Sequence, residues 1–177
     1  MGNKNKEELR NSIYPICLNL MKKGFEIEAY ILILATWNFA ALRYVMTTFD
    51  LGNFRETLRK IESLHRKLKN LDFKTADFDK YGKEIKMIYS ALAAIDGIKI
   101  TGAPKLMHLK NPKLFVMWDS YIRKHYGFRK GDAEDYFNFL KLMQEKFGNR
   151  KPERGLTLAR TIDLMNMNSI TAKVMRK

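Results

Sequence analysis

The chain has 177 residues, of which 46% are hydrophobic and 29% are charged, and its formal net charge is +14 at pH 7. This length and composition predict one domain, residues 1–177, that is long enough to bury a core, and the positive charge indicates nucleic acid or an anionic membrane surface as the partner. The single cysteine, Cys17, excludes an intramolecular disulfide and a cysteine-ligated zinc or iron–sulfur site.

Apolar residues recur at helical spacing along nearly the whole chain. The pattern predicts an amphipathic helix over residues 6–23, followed by a helix over residues 26–49 that is apolar on most faces and is therefore expected in the core. Asn53 is a suitable N-cap for a third helix over residues 54–71, and a fourth helix is expected over residues 78–95.

Shorter helices are expected in the second half of the chain, after a tight connection at residues 97–104. They are predicted over residues 105–109, 120–126, 133–147 and 156–165, with Asp119 and Asp132 as candidate caps. Residues 166–177 are expected to form a loosely held tail. Because neither strand-period alternation nor an internal repeat is present, the sequence predicts an all-α, single-domain helical bundle of about seven to nine helices.

A membrane span and a secretory signal are both excluded by the sequence pattern. The longest apolar run, residues 29–41, contains Thr36 and Asn38 and is too short to cross a bilayer. The N-terminal stretch MGNKNKEELRNS is polar and lacks the apolar segment of a secretory signal. We therefore expect a soluble, cytoplasmic protein without a membrane partner, and a monomer.

Residues 99–130 concentrate positive charge around one acid, Asp119. The basic residues there are Lys99, Lys105, Lys110, Lys113, Arg123, Lys124, Arg129 and Lys130. This clustering favours a phosphate-binding surface, and lysines that only solvate helix faces are the alternative. Asp119 is interpreted as a helix cap, as a charge that stabilises a cation such as an oxocarbenium ion on a sugar ring, or as both, because a capped carboxylate stays ionised.

Lys105 lies fourteen positions before Asp119, with a helix and a turn between them. The two side chains can meet in one cleft if the short helices pack as an angled pair. A lysine in an electropositive, partly desolvated site has a lowered pKa and can attack the C1′ atom of a sugar to form a Schiff base. A surface lysine that contacts phosphate is the alternative.

The central apolar helix carries Trp37, Asn38 and Arg43, and Trp118 directly precedes Asp119. Each tryptophan is interpreted either as a core residue or as a wall of a pocket for a base. Asn38 and Arg43 need polar partners or a cleft to face, because unpaired polar groups inside an apolar helix are costly.

Two further sets of polar residues are given structural roles. His65, His108 and His125 are too scattered to match metal-ligand spacing, so no metal site is expected. Arg160 and Asp163 stand at i and i+3 on the last predicted helix and are interpreted as a surface ion pair.

Residues 97–127 resemble the core of the helix-hairpin-helix DNA glycosylase superfamily. IKITGAPK would supply the hairpin and Lys105, and FVMWDSYIRKHYG would supply Asp119 and its helix. In that family a glycine-rich hairpin grips phosphate, and a lysine at the start of the second hairpin helix is the Schiff-base nucleophile of the bifunctional members. The resemblance implies a helix-hairpin-helix element near residues 84–109. It also shows a departure, because Gly102-Ala103-Pro104 stands where the family prefers two glycines around an aliphatic residue.

The chain is also similar to a group of short microbial proteins with this core. In that group a Thr-x-x-x-Lys step, here Thr101 and Lys105, precedes the aspartate helix. An Ala-Arg-x-Ile-Asp-like segment, here residues 159–163, closes the chain.

The resemblance implies a DNA-binding base-excision repair protein of the DNA glycosylase/AP-lyase type, which cleaves an N-glycosidic bond. Asp119 would stabilise the sugar cation or activate the nucleophile, and Lys105 would form the covalent imine. The pocket candidates are Trp37, Asn38, Arg43 and Trp118. The expected nucleic-acid-binding residues are Lys99, Thr101, Gly102, Lys110, Arg123, Lys124, Arg129 and Lys130. DNA is the expected partner, with RNA as the alternative, and no cofactor is expected.

Two other functions fit the same sequence. The first is a non-catalytic nucleic-acid-binding module on the same helical fold. The second is a basic helical interaction domain without a nucleic-acid role.

Overall fold

The computed structural model describes the backbone of residues 2–171 and the side chains of residues 12–170, and within them all regular structure is helical. The α-helices are α1 Gly2–Lys22, α2 Glu26–Trp37, α3 Phe39–Leu42, α4 Leu51–Leu68, α5 Phe78–Ala93, α6 Lys99–Lys110, α7 Ser120–His125, α8 Ala133–Phe147 and α9 Leu158–Asn166. A 3₁₀ turn, Arg43–Val45, follows α3, and a π turn, Met167–Thr171, follows α9. The predicted all-α bundle is confirmed.

Short polar side chains begin five of these helices by accepting backbone N–H groups of the first turn. They are Asp50, Asp77, Asp119, Asp132 and Thr157. The expected cap of α4, Asn53, is wrong: its N–H donates to Asp50 Oδ1 at 2.8 Å, so α4 begins one turn earlier than predicted. The caps predicted at Asp119 and Asp132 are confirmed.

The core is built around α5, which packs against α4, α6 and α8, while α2 packs against α1 and α6. Trp118 belongs to this core. It is 1% exposed, and its ring centroid lies 5.1 Å from those of Tyr136 and Phe139. The interpretation of Trp118 as a wall of a base pocket is therefore wrong. None of the helices in the described part of the chain is long and apolar enough to cross a membrane.

The apolar stretch predicted as one helix over residues 26–49 is interrupted at Asn38. Asn38 leaves helical geometry (φ −132°, ψ 23°), and its side chain, only 6% exposed, binds the connection between α5 and α6. Its Nδ2 donates to the carbonyls of Gly97 and Ile98 at 3.0 Å each, and its Oδ1 accepts from Thr101 Oγ1 at 2.9 Å. Because a buried amide needs such partners, Asn38 is a clamp on this turn and not a pocket residue.

The hairpin between α5 and α6 lies at residues 94–98, so its predicted position at Gly102–Pro104 is wrong. Gly97 and Lys99 both have left-handed backbone angles, with φ of 85° and 55°, and they flank Ile98. Gly102 lies inside α6 and is buried. A Cβ there would lie 2.9 Å from Asn38 Nδ2, so glycine is what allows the clamp to approach α6.

Pro104 also lies inside α6, where its missing N–H leaves the carbonyl of Ile100 without its usual helical donor. Two side chains take the place of that donor. Trp118 Nε1 donates to the Ile100 carbonyl at 2.9 Å, and Tyr89 Oη donates to it at 3.1 Å. The proline thus connects the start of α6 to α5 and to the segment that precedes α7.

The expected loose tail is wrong for residues 166–171, which continue the helical path of α9. Asn166 is 2% exposed and its Oδ1 accepts from Tyr126 Oη at 2.9 Å. Ile170 is buried as well. The rest of that predicted tail, residues 172–177, lies outside the described residues.

Replacing the clamp should loosen the hairpin. We expect Asn38→Ala to lower the free energy of unfolding by about 3 kcal/mol, since three buried hydrogen bonds are lost at about 1 kcal/mol each. Urea denaturation followed by circular dichroism measures this change. Asn138→Ala, at an exposed position of α8, is the control and should change stability by less than about 0.5 kcal/mol. An equal effect of the two substitutions would contradict the role given to Asn38.

Candidate functional site

Lys105 occupies the middle of α6 and points into the protein. Its side chain is only 7% exposed, and Nζ donates to the Thr101 carbonyl, one turn back, at 2.6 Å. Because α6 begins at Lys99, Lys105 is not at the start of the second hairpin helix, where the resemblance would place a nucleophile. That position is held by Lys99, which is exposed and paired with Asp96.

Asp119 starts α7 and lies half-buried beside the core. Its Oδ1 accepts the N–H groups of Tyr121 at 2.8 Å and of Ile122 at 2.7 Å, so the capping interpretation is correct. The preceding residue, Trp118, is held by the Ile100 carbonyl. The start of α7 is therefore fixed against the first turn of α6. Ile100, in that turn, precedes Lys105 by about one and a half helical turns.

α9 adds two charged residues, Arg160 and Asp163, and the prediction that they form a surface ion pair is wrong. Each is only 3% exposed, and Arg160 Nη1 donates to Asp163 Oδ2 inside the protein. Burial raises the pKa of Asp163 to about 6, while the positive charges of Arg160 and Lys105 oppose that rise and the negative charge of Asp119 adds to it. Arg160, Lys105 and Asp119 thus all lie within electrostatic reach of Asp163. We call these four residues the charged cluster.

Arg160 is held from its other side by two aromatic rings. Its guanidinium carbon lies 4.6 Å from the ring centroid of Tyr14 and 4.7 Å from that of Trp37. The two centroids are 5.7 Å apart and the rings are within 16° of parallel, so Arg160 lies over the pair and not between them. Trp37 is half-buried and forms this support for the charged cluster, a cation–π contact worth more because it is desolvated.

Tyr14 in turn is fixed by His108, which is fully buried on α6. His108 Nδ1 lies 2.6 Å from the Phe115 carbonyl, which can only accept, so Nδ1 carries the proton and the neutral Nε2 accepts from Tyr14 Oη at 2.6 Å. Burial lowers the pKa of His108 to about 3 and raises that of Tyr14 to about 12. This neutral pair connects α1 to α6 directly behind Arg160.

Sequence reasoning missed Tyr14, His108 and the burial of Arg160 and Asp163. The i, i+3 spacing of Arg160 and Asp163 in an apolar helix was the only signal of a pair. Their burial depends on α1, whose Tyr14 is 94 residues from His108 in sequence. No local pattern reports such a contact.

The predicted nucleic-acid-binding residues divide into two groups in the structure. Gly102 is buried, Arg123 is 8% exposed, and Lys110 is half-buried between Glu26 and Glu62, at 2.9 and 2.8 Å. Arg123 Nη1 donates to the carbonyls of residues 128 and 129, so this arginine holds the loop after α7. The prediction that Gly102, Lys110 and Arg123 contact phosphate is therefore wrong. The half-buried Thr101 is held by its hydrogen bond to Asn38.

The remaining four residues of the prediction are exposed: Lys99, Lys124, Arg129 and Lys130. Tyr89 Oη donates to the Gly131 carbonyl at 2.7 Å as well as to that of Ile100, so the loop at residues 128–131 lies against the start of α6. The exposed Lys99 is thereby brought towards the exposed Arg129 and Lys130, and we call these three residues the basic face. Lys124, on α7, is exposed as well.

Arg43, the last pocket candidate, is exposed and lies away from the charged cluster on the 3₁₀ turn after α3. Its Nη2 donates to Tyr44 Oη at 2.7 Å. The expected pocket set is therefore not brought together: Trp37 supports Arg160, Asn38 clamps the hairpin, and Trp118 lies in the core.

Comparison with protein families places the chain in DUF6308, a family of unknown function, which it matches over residues 34–169. Since this range covers most of the chain, the protein belongs to that family. The match includes all four residues of the charged cluster and leaves out Tyr14. Neither curated proteins nor solved structures gave a match. The predicted DNA partner, cytoplasmic location and monomeric state stay predictions.

Removing one member of the buried ion pair should leave an uncompensated charge. We expect Asp163→Leu to lower the free energy of unfolding by about 4 kcal/mol. In the double variant Arg160→Met/Asp163→Leu the loss should be smaller than the sum of the two single losses by about 2 kcal/mol or more, because no charge of that pair is left unpaired. Urea denaturation of the four proteins gives this coupling, and strictly additive losses would contradict the geometry.

The stability of the protein should fall on acidification because His108 is buried in its neutral form. Its pKa is about 3 in the folded state and 6.5 when exposed, so its contribution to stability is complete above pH 6.5 and is lost as the pH falls towards 3. His108→Gln should therefore flatten the pH dependence in this window, although His65, with a pKa of about 4, retains part of it.

Asp163 acts in the opposite direction and provides the control for this measurement. Its folded pKa is raised to about 6, so its contribution to stability is present below about 3.8 and is lost as the pH rises through 6. Asp163→Asn should make the loss of stability on acidification steeper, where His108→Gln makes it shallower. Urea titrations between pH 3 and 7 measure both changes, and parallel curves for all proteins would exclude these assignments.

Proposed function

We propose that this member of the DUF6308 family binds DNA and cleaves an N-glycosidic bond in it, as a DNA glycosylase with AP-lyase chemistry. The observation that carries the proposal is the placement of Lys105 and Asp119, the two residues this chemistry needs, within reach of one buried carboxylate, Asp163. Lys105 lies on α6, the second helix of the hairpin, and Asp119 lies at the start of α7.

The hairpin and the basic face supply the DNA contact. The N-terminus of α6 carries a partial positive charge, and Lys99, Arg129 and Lys130 are exposed next to it. The left-handed residues Gly97 and Lys99 on either side of the aliphatic Ile98 also support the resemblance to the helix-hairpin-helix glycosylases, which prefer glycines at two such positions. The contact is electrostatic, so binding weakens steeply as salt rises.

Asp119 and Lys105 divide the chemistry between them. The half-buried carboxylate of Asp119, held in place by two backbone N–H groups, stabilises the positive charge that develops on the sugar as the base departs. Lys105 first releases its hydrogen bond to the Thr101 carbonyl and loses one proton to solvent. Its neutral amine then attacks C1′, and the base leaves with the electron pair of the broken N-glycosidic bond and takes up a proton from solvent. Opening of the sugar ring at the C1′–O4′ bond turns the adduct into an imine, and loss of a C2′ proton then expels the 3′ phosphate by β-elimination.

A non-catalytic DNA-binding module on the same fold is the second candidate, and the burial of Lys105 favours it. A nucleophile must reach its substrate, but Lys105 is only 7% exposed and its amine donates to a backbone carbonyl. In this function the charged cluster would only hold α6, α7 and α9 in register, and the basic face would bind DNA without turnover.

Borohydride trapping on a duplex with one abasic site tests the catalytic function. We expect wild type to form a covalent adduct, and Lys105→Arg to form none, because arginine keeps the charge beside Asp163 but forms no imine. Asp119→Asn keeps an oxygen that caps α7 and removes the charge, so its adduct should form about 10²-fold more slowly. Lys113→Arg, an exposed lysine of the same segment, is the control and should react like wild type.

The same proteins separate the two candidate functions. The lyase mechanism at Lys105 is wrong if wild type forms no adduct, or if Lys105→Arg still forms one. Loss of the adduct only in Lys99→Arg would assign the nucleophile to the start of α6. In the non-catalytic module, wild type binds the duplex with a salt-dependent affinity that Asp119→Asn leaves unchanged or raises, and no strand is cut.

A further inference from the structure

The segment that joins α2 to α4 exposes three large apolar side chains within eight positions of the chain. Phe39 is 53% exposed, Tyr44 75% and Met46 62%, and Arg43 beside them is exposed too. We call Phe39, Arg43, Tyr44 and Met46 the aromatic segment. Isolated exposed apolar residues are common, but here three lie within eight positions, on α3, on the 3₁₀ turn and directly after it. Exposed apolar patches of this kind mark binding sites.

The aromatic segment is held against the hairpin. A Cβ placed on Gly97 would lie 2.6 Å from Val45 Cγ2 and 3.4 Å from Leu42 Cδ1, so the buried side of the segment packs directly on the turn between α5 and α6. Asn38, at the start of the segment, clamps the carbonyls of Gly97 and Ile98. The aromatic segment is therefore directly adjacent to the hairpin.

Arg43 and Tyr44 form a composite surface of ring and cation. The guanidinium carbon lies 4.6 Å from the ring centroid of Tyr44, and Nη2 donates to Tyr44 Oη. The high exposure of Tyr44 leaves much of its ring to solvent, and an arginine has further N–H donors for an acceptor such as phosphate.

The charge around the patch identifies its occupant. No acidic residue occurs between residues 29 and 49, and the exposed Lys99 follows the hairpin on which the segment packs. Asp96 is an exposed acid on that hairpin, but it is paired with Lys99, so Arg43 is the cation that lies beside the Tyr44 ring. An aromatic ring beside a cation complements a base and its phosphate, since every base has a face that stacks on a ring and every nucleotide carries a negative charge.

We infer that the aromatic segment binds an unpaired nucleotide of the nucleic acid that contacts the hairpin: its base stacks on Tyr44, with Met46 and Phe39 extending the apolar surface, and its phosphate is bound by Arg43. This inference rests on the proposed DNA binding and adds its strand preference, because a paired base does not offer its face to a ring. The protein should therefore prefer single-stranded or locally opened DNA to a closed duplex.

Fluorescence anisotropy with a labelled single-stranded oligodeoxynucleotide, and with the same sequence as a closed duplex, tests the inference. We expect Tyr44→Ala to weaken binding of the single strand about tenfold and binding of the duplex by less than about twofold. Met46→Ala should act in the same direction with a smaller effect. These residues are exposed, so both variants should fold like wild type.

Two control variants remove an aromatic ring and a methionine that are about half exposed elsewhere on the surface. Phe25→Ala removes an aromatic ring that is 50% exposed at the start of α2, a twelve-residue helix about 18 Å long whose other end leads into the aromatic segment. Met87→Ala removes a methionine that is 49% exposed on α5. Both should bind the two probes as wild type does.

Each outcome distinguishes this inference from the proposed function. If Tyr44→Ala binds both probes like wild type, or weakens both equally, the inference is overturned while DNA binding stands, and the patch is left for a protein partner. If wild type binds neither probe at low salt, the proposed function falls and the inference falls with it. A loss confined to the single strand supports both.

Discussion

The carbonyl of Ile100 is the point on which the arrangement of the hairpin end depends. Pro104 removes the N–H that would bind this carbonyl within α6, and Trp118 Nε1 and Tyr89 Oη donate to it instead. Trp118 is followed directly by Asp119, and the Tyr89 hydroxyl also donates to the carbonyl of Gly131. One backbone oxygen therefore sets where α7 begins and where the loop at residues 128–131 lies. A proline usually breaks a helix, but Pro104 lies inside α6 and leaves one carbonyl free. At that carbonyl α5, the start of α6 and the segment before α7 meet.

The charged cluster has its own constraint, because buried charges lose their hydration. Lys105 and Arg160 are balanced by Asp119 and Asp163, and Arg160 gains further stabilisation from the Tyr14 and Trp37 rings. Balanced in this way, such a cluster still contributes little net stability compared with an apolar core of the same volume. The free energy of folding therefore does not by itself explain why these charges are buried. A role in positioning α6, α7 and α9, or in the proposed reaction, explains it better. Burial raises the pKa of Asp163 to about 6, so its protonation changes near neutral pH, which a purely structural ion pair does not need.

Local features were predictable from the sequence and long-range ones were not. Helix type, most helix bounds and the caps Asp119 and Asp132 follow from spacing and short polar side chains, which act within one turn. The break at Asn38 was missed because it depends on carbonyls about 60 residues away, and the hairpin was misplaced because Gly102 and Pro104 read as turn residues. Lys105 and Asp119 were singled out from the charge pattern of residues 99–130 and from the resemblance. The burial of Asp163 was not foreseen, because burial is a property of the packed bundle.

The hairpin has different chemistry on its two sides, and this asymmetry bears on how DNA would lie. On one side Gly97 packs against the turn that exposes Tyr44, and on the other Lys99 approaches Arg129 and Lys130 through the contacts of Tyr89. Rings together with Arg43 lie on the first side and cations alone on the second, with the N-terminus of α6 between them. A closed duplex would use only the cations, since its bases are stacked on one another, whereas an opened strand would use both sides. A glycosylase needs its target nucleotide out of the duplex, so a hairpin flanked in this way suits the proposed reaction better than it suits binding to intact DNA.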